Sequence, residues 1–170
     1  MEELFKSKTY GNLSKKLAVR KLVGAVQANP KSEWVLAIVT DSQNKKHETK
    51  FCQAIVLYQV GKGGSFFYKT FKQPRISIVG NRMLEEARLS IDLAKEVIDI
   101  LDEIYIENEF DWTEANLKLE IHCDLGVNGK SSESIKSVLG WITAEFGGIV
   151  SPQIKPDSSA ASVVADAFTK

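Results

Sequence analysis

Two hydrophobic periods alternate along the 170-residue chain. Leu13, Leu17, Ala18, Leu22, Ala25 and Val26 recur at helical spacing and stop at Asn29-Pro30, because proline disfavours helical backbone in the residue before it. Residues 34–39 are all apolar and suit a central strand covered on both faces, which Thr40-Asp41-Ser42-Gln43 is expected to end with Asp41 at its C-terminal end. Residues 51–60 and 65–71 read as an antiparallel pair joined by Gly61-Lys62-Gly63-Gly64, a connection able to take positive φ. From 82 to 104, Leu84, Ala87, Ile91, Ala94, Ile98 and Leu101 trace one stripe of a long helix. Leu117, Leu119, Ile121 and Cys123 then alternate with polar residues, predicting a half-buried strand with Asp124 at its end. A helix from Ser131 or Ser132 to Phe146, a short strand over 149–154 and a last helix opened by Pro156-Asp157-Ser158 complete the order.

This order predicts one α/β domain over residues 1–170, with a mixed five-stranded sheet flanked by helices and an extra N-terminal helix. A strand-helix-strand step implies a right-handed parallel crossover, so the first and fourth strands are expected side by side. Asp41 and Asp124 would then share the carboxyl end of the sheet, where open α/β folds bind ligands.

Composition agrees with a soluble globular domain: 44% of residues are apolar, 26% are charged and four are proline. No apolar run approaches the ~18 residues of a bilayer span, and the N-terminus lacks the apolar stretch of a signal peptide, so a cytoplasmic, non-membrane protein is expected. Cys52 and Cys123 show no metal-ligand spacing and read as buried free thiols. The net charge of zero conceals an uneven distribution: residues 42–82 sum to +7 and residues 83–124 to −10. A basic first half is the footprint of a polyanion partner.

Two aspartates at neighbouring strand ends oppose each other's ionisation, a conflict that a divalent cation resolves. Hard Mg²⁺ or Mn²⁺ takes carboxylate oxygens and shares its remaining positions with phosphate, and a pair of such ions requires further acids. The start of the long helix offers Glu85 and Glu86, and the start of the last helix offers Asp157. Glu86 adjoins the apolar stripe and is preferred to Glu85. The competing explanation is that acids in a first turn favour the helix dipole, and that Asp157 is an N-cap.

These residues resemble a known family. Thr40-Asp41-Ser42-Gln43, the Gly61-Lys62-Gly63-Gly64 turn, Leu84-Glu85-Glu86, Ile121-His122-Cys123-Asp124-Leu125-Gly126, Asn128-Gly129-Lys130 and Lys155-Pro156-Asp157 followed by Ala160-Ala161-Ser162 look like the bacterial YkuK family, classed as ribonuclease H-like. The resemblance runs from about residue 10 to residue 170. It implies a ribonuclease H-like fold and a catalytic, metal-binding set of Asp41, Glu86, Asp124 and Asp157, with Glu85 and Asp166 as alternates. The implied activity is that of a metal-dependent nuclease or phosphodiesterase. The chain departs from ordinary ribonucleases H in carrying Ser42 and Gln43 where glycine usually follows the first aspartate.

Lys62, Lys130 and Lys155 lie beside turn residues that expose backbone N–H groups, and are candidates for phosphate contact. His122 alternates onto the face of Asp124, and His47 belongs to a hydrophilic loop. Phe66, Phe67, Tyr68 and Phe71 read as strand core sooner than as a stacking surface. Residues 126–131 do not form a phosphate-binding P-loop, because Asp124 occupies its first glycine position. The leading expectation is a nuclease using Mg²⁺ or Mn²⁺ on RNA or DNA. The alternative is a non-catalytic nucleic-acid-binding or interaction module on the same fold, the latter acting through the base-free acidic run from Asp102 to Glu114.

Overall fold

A computed structural model of the chain describes residues 2–123 and 132–154. In chain order its elements are β1 (Leu4–Ser7), β2 (Gly11–Ser14), α1 (Lys15–Ala28), β3 (Trp34–Asn44), β4 (Glu48–Gln59), β5 (Gly64–Pro74), α2 (Val79–Asn108), β6 (Leu117–Cys123), α3 (Ser132–Phe146) and β7 (Val150–Ile154). One mixed sheet takes the strands in the order β2-β1-β5-β4-β3-β6-β7. β3, β4 and β5 form an antiparallel meander. β6 runs parallel to β3, from Trp34↔Leu117 to Val39↔His122, and β7 runs parallel to β6. The first and fourth strands of the sequence pattern are therefore parallel neighbours, as expected.

The expected count of five strands is corrected to seven among the described residues. The five foreseen are β3 to β7, and the hairpin of β1 and β2 extends the sheet beyond β5. Each hairpin strand is four residues long with a single buried side chain, too short for its alternation to stand out in the sequence. β3 is also longer than expected. It runs past Asp41 to Asn44, because Thr40 to Asn44 pair with Gln53 to Thr49 on β4 and the ladder satisfies a backbone that polarity alone would assign to a loop.

The 30-residue α2 starts at Val79, three residues earlier than the stripe predicts, and Ile78 at its N-cap supplies no side-chain cap. Met83, Ala87, Ile91, Ala94, Val97, Leu101 and Ile104 are its buried face, while Leu84 is turned out at 43% exposure. The helix closes at Glu109, a left-handed residue (φ 57°) whose N–H donates to the Tyr105 carbonyl at 2.8 Å. In α1 the Ser14 hydroxyl accepts from the Leu17 N–H, and Ala18, Val19, Leu22, Val23 and Val26 face inward while Leu17 faces solvent. Between β4 and β5, Gly61 takes φ +79°, and a Cβ on Gly64 would lie 2.3 Å from the Leu57 carbonyl oxygen, so the turn depends on glycine at both positions.

The three helices among the described residues pack on one face of the sheet. Leu22, Ile91, Leu101, Val138 and Ile142 form a single core with Leu36, Ile38, Ile55, Phe67, Leu119 and Ile121. Truncating a fully buried member such as Ile121 to Ala would cost about 2–5 kcal/mol. The other face carries a separate cluster of Val35, Ala37, Val39, Cys52, Ala54 and Val56, flanked by Tyr58, Phe66 and Tyr68. Phe67 is core, as the strand pattern implies, and His47 is exposed. Both cysteines are buried, and neither is in a disulfide. No helix among the described residues is long and apolar enough to cross a membrane. Lys155, the expected last helix with Asp157 and Asp166, and the segment holding Asp124 and Lys130 lie outside the described residues.

Candidate functional site

Alternation along β3 sends Thr40 and Ser42 toward α2 and Asp41 the opposite way. On the helix side, Thr40 Oγ1 accepts from the Ser90 hydroxyl at 2.8 Å and from Gln53 Nε2 at 3.4 Å, and the same Gln53 amide donates to the Leu89 carbonyl at 3.0 Å. These buried bonds hold α2 against the middle of β3 and β4. Two residues further along the same face of β3, the Ser42 hydroxyl donates to Glu86 Oε1. Thr40, Met83, Glu86, Ala87, Ser90 and Cys123 line a small cleft where α2 crosses the ends of β3 and β6.

Glu86 is half-buried and sits seven residues after the first residue of α2, about two turns in. The first turn contains no acid, so the placement of Glu85 and Glu86 there is corrected, and the helix dipole does not account for either. The two glutamates differ in their partners. Glu85 accepts from Arg88 through both oxygens, at 2.9 and 2.6 Å, and from Gln73 Nε2 at 3.1 Å. The Arg88 guanidinium, helped by Gln73, holds its carboxyl below the ordinary carboxylate value against the opposing effect of burial. Glu85 is thus committed to an ion pair, whereas Glu86 faces the cleft.

Asp41, 9% exposed, lies on the second face beside its cross-strand partner Cys52. Burial, and next the Asp41 charge, push the Cys52 thiol up to about 12. The same face carries Glu120 and His122, one pleat apart on β6. His122 is 1% exposed and its Nε2 lies 3.1 Å from Glu120 Oε1, which also accepts from the Tyr58 hydroxyl at 3.4 Å. Burial and Glu120 together raise the Tyr58 phenol above its ordinary value. The spacing of Glu120 and His122 at i and i+2 on a strand is the sequence signal for this pair.

The structure therefore separates Asp41 from Glu86: they approach the end of β3 from opposite faces of the sheet. Among the described residues no three histidine, cysteine, aspartate or glutamate side chains are gathered to hold a metal ion. Asp41 and Glu86 alone do not fit a resident Mg²⁺ or Mn²⁺, and Asp124 and Asp157 fall outside the described residues.

Cations gather at this end of the sheet. Lys45 and Lys46 form the turn after β3, Lys50 and Lys72 are register partners on β4 and β5, and Arg75 follows β5 with its guanidinium donating to the Lys45 carbonyl. Glu48 is the single acid from residue 42 to residue 82, and it pairs with Lys72 at 2.8 Å. Lys62 does not join them. Its turn adjoins Gln59, the partner of Trp34, at the far end of β3, about 23 Å from Asp41 at ~3.3 Å per residue.

A family model described as Ribonuclease H-like matches residues 18–170. A Bacillus subtilis (strain 168) protein described as "Uncharacterized protein YkuK" is 35% identical over 156 residues, which cover 89% of this chain and 88% of that one. No solved structure matches the chain significantly.

Proposed function

The chain belongs to the ribonuclease H-like family and is homologous to the YkuK protein, and from that premise we propose that it is a nucleic-acid-binding module that holds its ligand at the carboxyl end of β3. The observation that carries the reading is the cluster of Lys45, Lys46, Lys50, Lys72 and Arg75 around that end, with Glu48 the single acid in this stretch of chain. A phosphate backbone bound there releases its condensed counterions, a term that supplies most of sequence-independent affinity. The fold presents these cations on β-turns and strand ends held by a continuous ladder, so little ordering is needed on binding.

A second reading is hydrolysis of the bound strand with Mg²⁺ or Mn²⁺ and the carboxylates Asp41, Glu86, Asp124 and Asp157. One observation favours it: Glu86 is half-buried beside the cleft, away from the first helical turn where an acid needs no further explanation. Lys130 and Lys155 would add phosphate contacts in either reading. The test is fluorescence anisotropy with labelled single- and double-stranded RNA and DNA across a salt series, alongside cleavage of the same panel with Mg²⁺, Mn²⁺ or EDTA. Salt-sensitive binding is the expected result, and its absence on every ligand would sink the proposal. Metal-dependent cleavage would move the conclusion to the second reading.

A further inference from the structure

Between β5 and α2 the chain exposes two consecutive large apolar side chains, Ile78 at 65% and Val79 at 48%. The segment is not loosely held. Asn44 Nδ2 donates to the Ile76 carbonyl at 3.0 Å, the Ile76 N–H donates to Thr49 Oγ1 at 2.9 Å, and Thr49 in turn donates to Asn44 Oδ1 at 2.6 Å. Thr49 is fully buried, so both polar groups of the Ile76 backbone are tied to the sheet two residues before the apolar tip. On the other side α2 begins at once, with the Arg82 N–H donating to the Ile78 carbonyl. Arg75 and Arg82 bracket the tip, and Lys45 lies against Arg75. An apolar point tied to the sheet and flanked along the chain by Arg75 and Arg82 matches a ligand that is anionic outside and apolar within.

We infer that Ile78 and Val79 form a wedge that enters an interrupted base stack, such as a gap in a duplex, while Arg75 and Arg82 hold the flanking phosphates. The inference rests on the nucleic-acid-binding reading above and deepens it by naming the preferred ligand. Apolar side chains inserted between base steps must unstack them, and a step already opened by a missing nucleotide removes most of that cost. The tip stands about 10 Å from Glu86 along the α2 axis, at ~1.5 Å per residue, so an opened step would lie beside the cleft. The comparable pair at the other end of α2, Tyr105 and Ile106, is ringed by Glu109, Asp111 and Glu114, which repel phosphate. The charge around each pair therefore assigns nucleic acid to the first alone.

The experiment measures binding of the full chain and of Ile78→Ser/Val79→Ser to a labelled DNA duplex of about 20 base pairs, continuous or with a one-nucleotide gap, and to phosphatidylserine vesicles. The wild type is expected to favour the gapped duplex about tenfold, and the variant to bind both forms as the wild type binds the continuous one, with an unchanged salt slope. Ile78→Phe, which keeps an apolar point, should retain the preference and guards against a variant that merely misfolds. Wild-type binding without a preference for the gap, or a preference that survives in the serine variant, overturns the wedge and leaves the binding reading standing. No binding to either duplex overturns the wedge, and the binding reading is then decided by the single-stranded and RNA ligands of the anisotropy panel. Wild-type vesicle binding that the serine variant loses, with no preference for the gap, assigns the tip to a lipid surface and overturns the wedge.

Discussion

Ser42 on β3 and Glu86 on α2, separated by 44 positions in the chain, are joined by a hydrogen bond from the serine hydroxyl to the carboxylate. This contact fixes the orientation of the half-buried acid beside the cleft. Ser42→Ala leaves one oxygen of that acid without its donor and should cost about 1 kcal/mol, read as a lower urea midpoint with an unchanged slope. Glu86→Gln keeps an acceptor in the same place and should cost less. A loss of function in Glu86→Gln at near wild-type stability then reports the charge and not the packing.

Asp41 is the sharper test of hydrolysis. Asp41→Asn preserves size, and the nucleic-acid contacts proposed above do not depend on its charge, so affinity should stay within about twofold at fixed salt. If the chain cleaves nucleic acid with Mn²⁺, this variant should bind and not cleave. Equal cleavage by wild type and variant would remove Asp41 from the chemistry.

The basic end of the sheet predicts a salt slope. Replacing Lys45, Lys46 and Arg75 by Ala removes up to three phosphate contacts and should flatten the dependence of log affinity on log salt by about 2–3 units. Lys62→Ala, at the far end of β3, should change neither affinity nor slope. A common effect of both variants would argue for diffuse binding over the whole surface.

Cys52 should resist thiol reagents at neutral pH, since burial and then Asp41 raise its pKa from 9.0 to about 12. The sign of the linkage follows from that direction. The folded state keeps the proton more tightly than the unfolded chain, so this contribution to stability is complete below pH 9.0 and disappears as pH rises through about 12. Asp41→Asn should bring the thiol partway down, because burial remains. Denaturation midpoints and alkylation rates across alkaline pH would check both statements.

Glu85 behaves in the opposite sense. Arg88 holds its pKa below the ordinary value, so the stabilisation is present above that value and is lost as pH falls through the lowered one. The pair is partly exposed, and Arg88→Ala should cost no more than about 0.5 kcal/mol at neutral pH while raising the Glu85 pKa in an NMR titration.

Periodicity carried the long helix, the meander and the parallel neighbour of β3, because a stripe of buried side chains and a right-handed crossover leave few alternatives. It singles out Asp41 and Glu86 as well, but places them at element ends, whereas Asp41 lies within β3 and Glu86 about two turns into α2. The hairpin of β1 and β2 was not legible, since four-residue strands gain their stability from the β5 edge they join and not from a pattern of their own. Nor was the polar end of β3, where five cross-strand pairs with β4 hold Thr40 to Asn44 in the ladder despite their composition. The period of two places Asp41 and Ser42 on opposite faces, but the chain shows only that they differ. Which face receives α2, and with it Glu86, follows from where the helix finds apolar surface: Leu36, Ile38, Leu119 and Ile121 draw its buried stripe to the side of Thr40 and Ser42. The same long-range packing gathers Lys45, Lys50, Lys72 and Arg75 into one charged rim and leaves Lys62 at the far end of the strand, because antiparallel register brings together residues that sequence distance keeps apart.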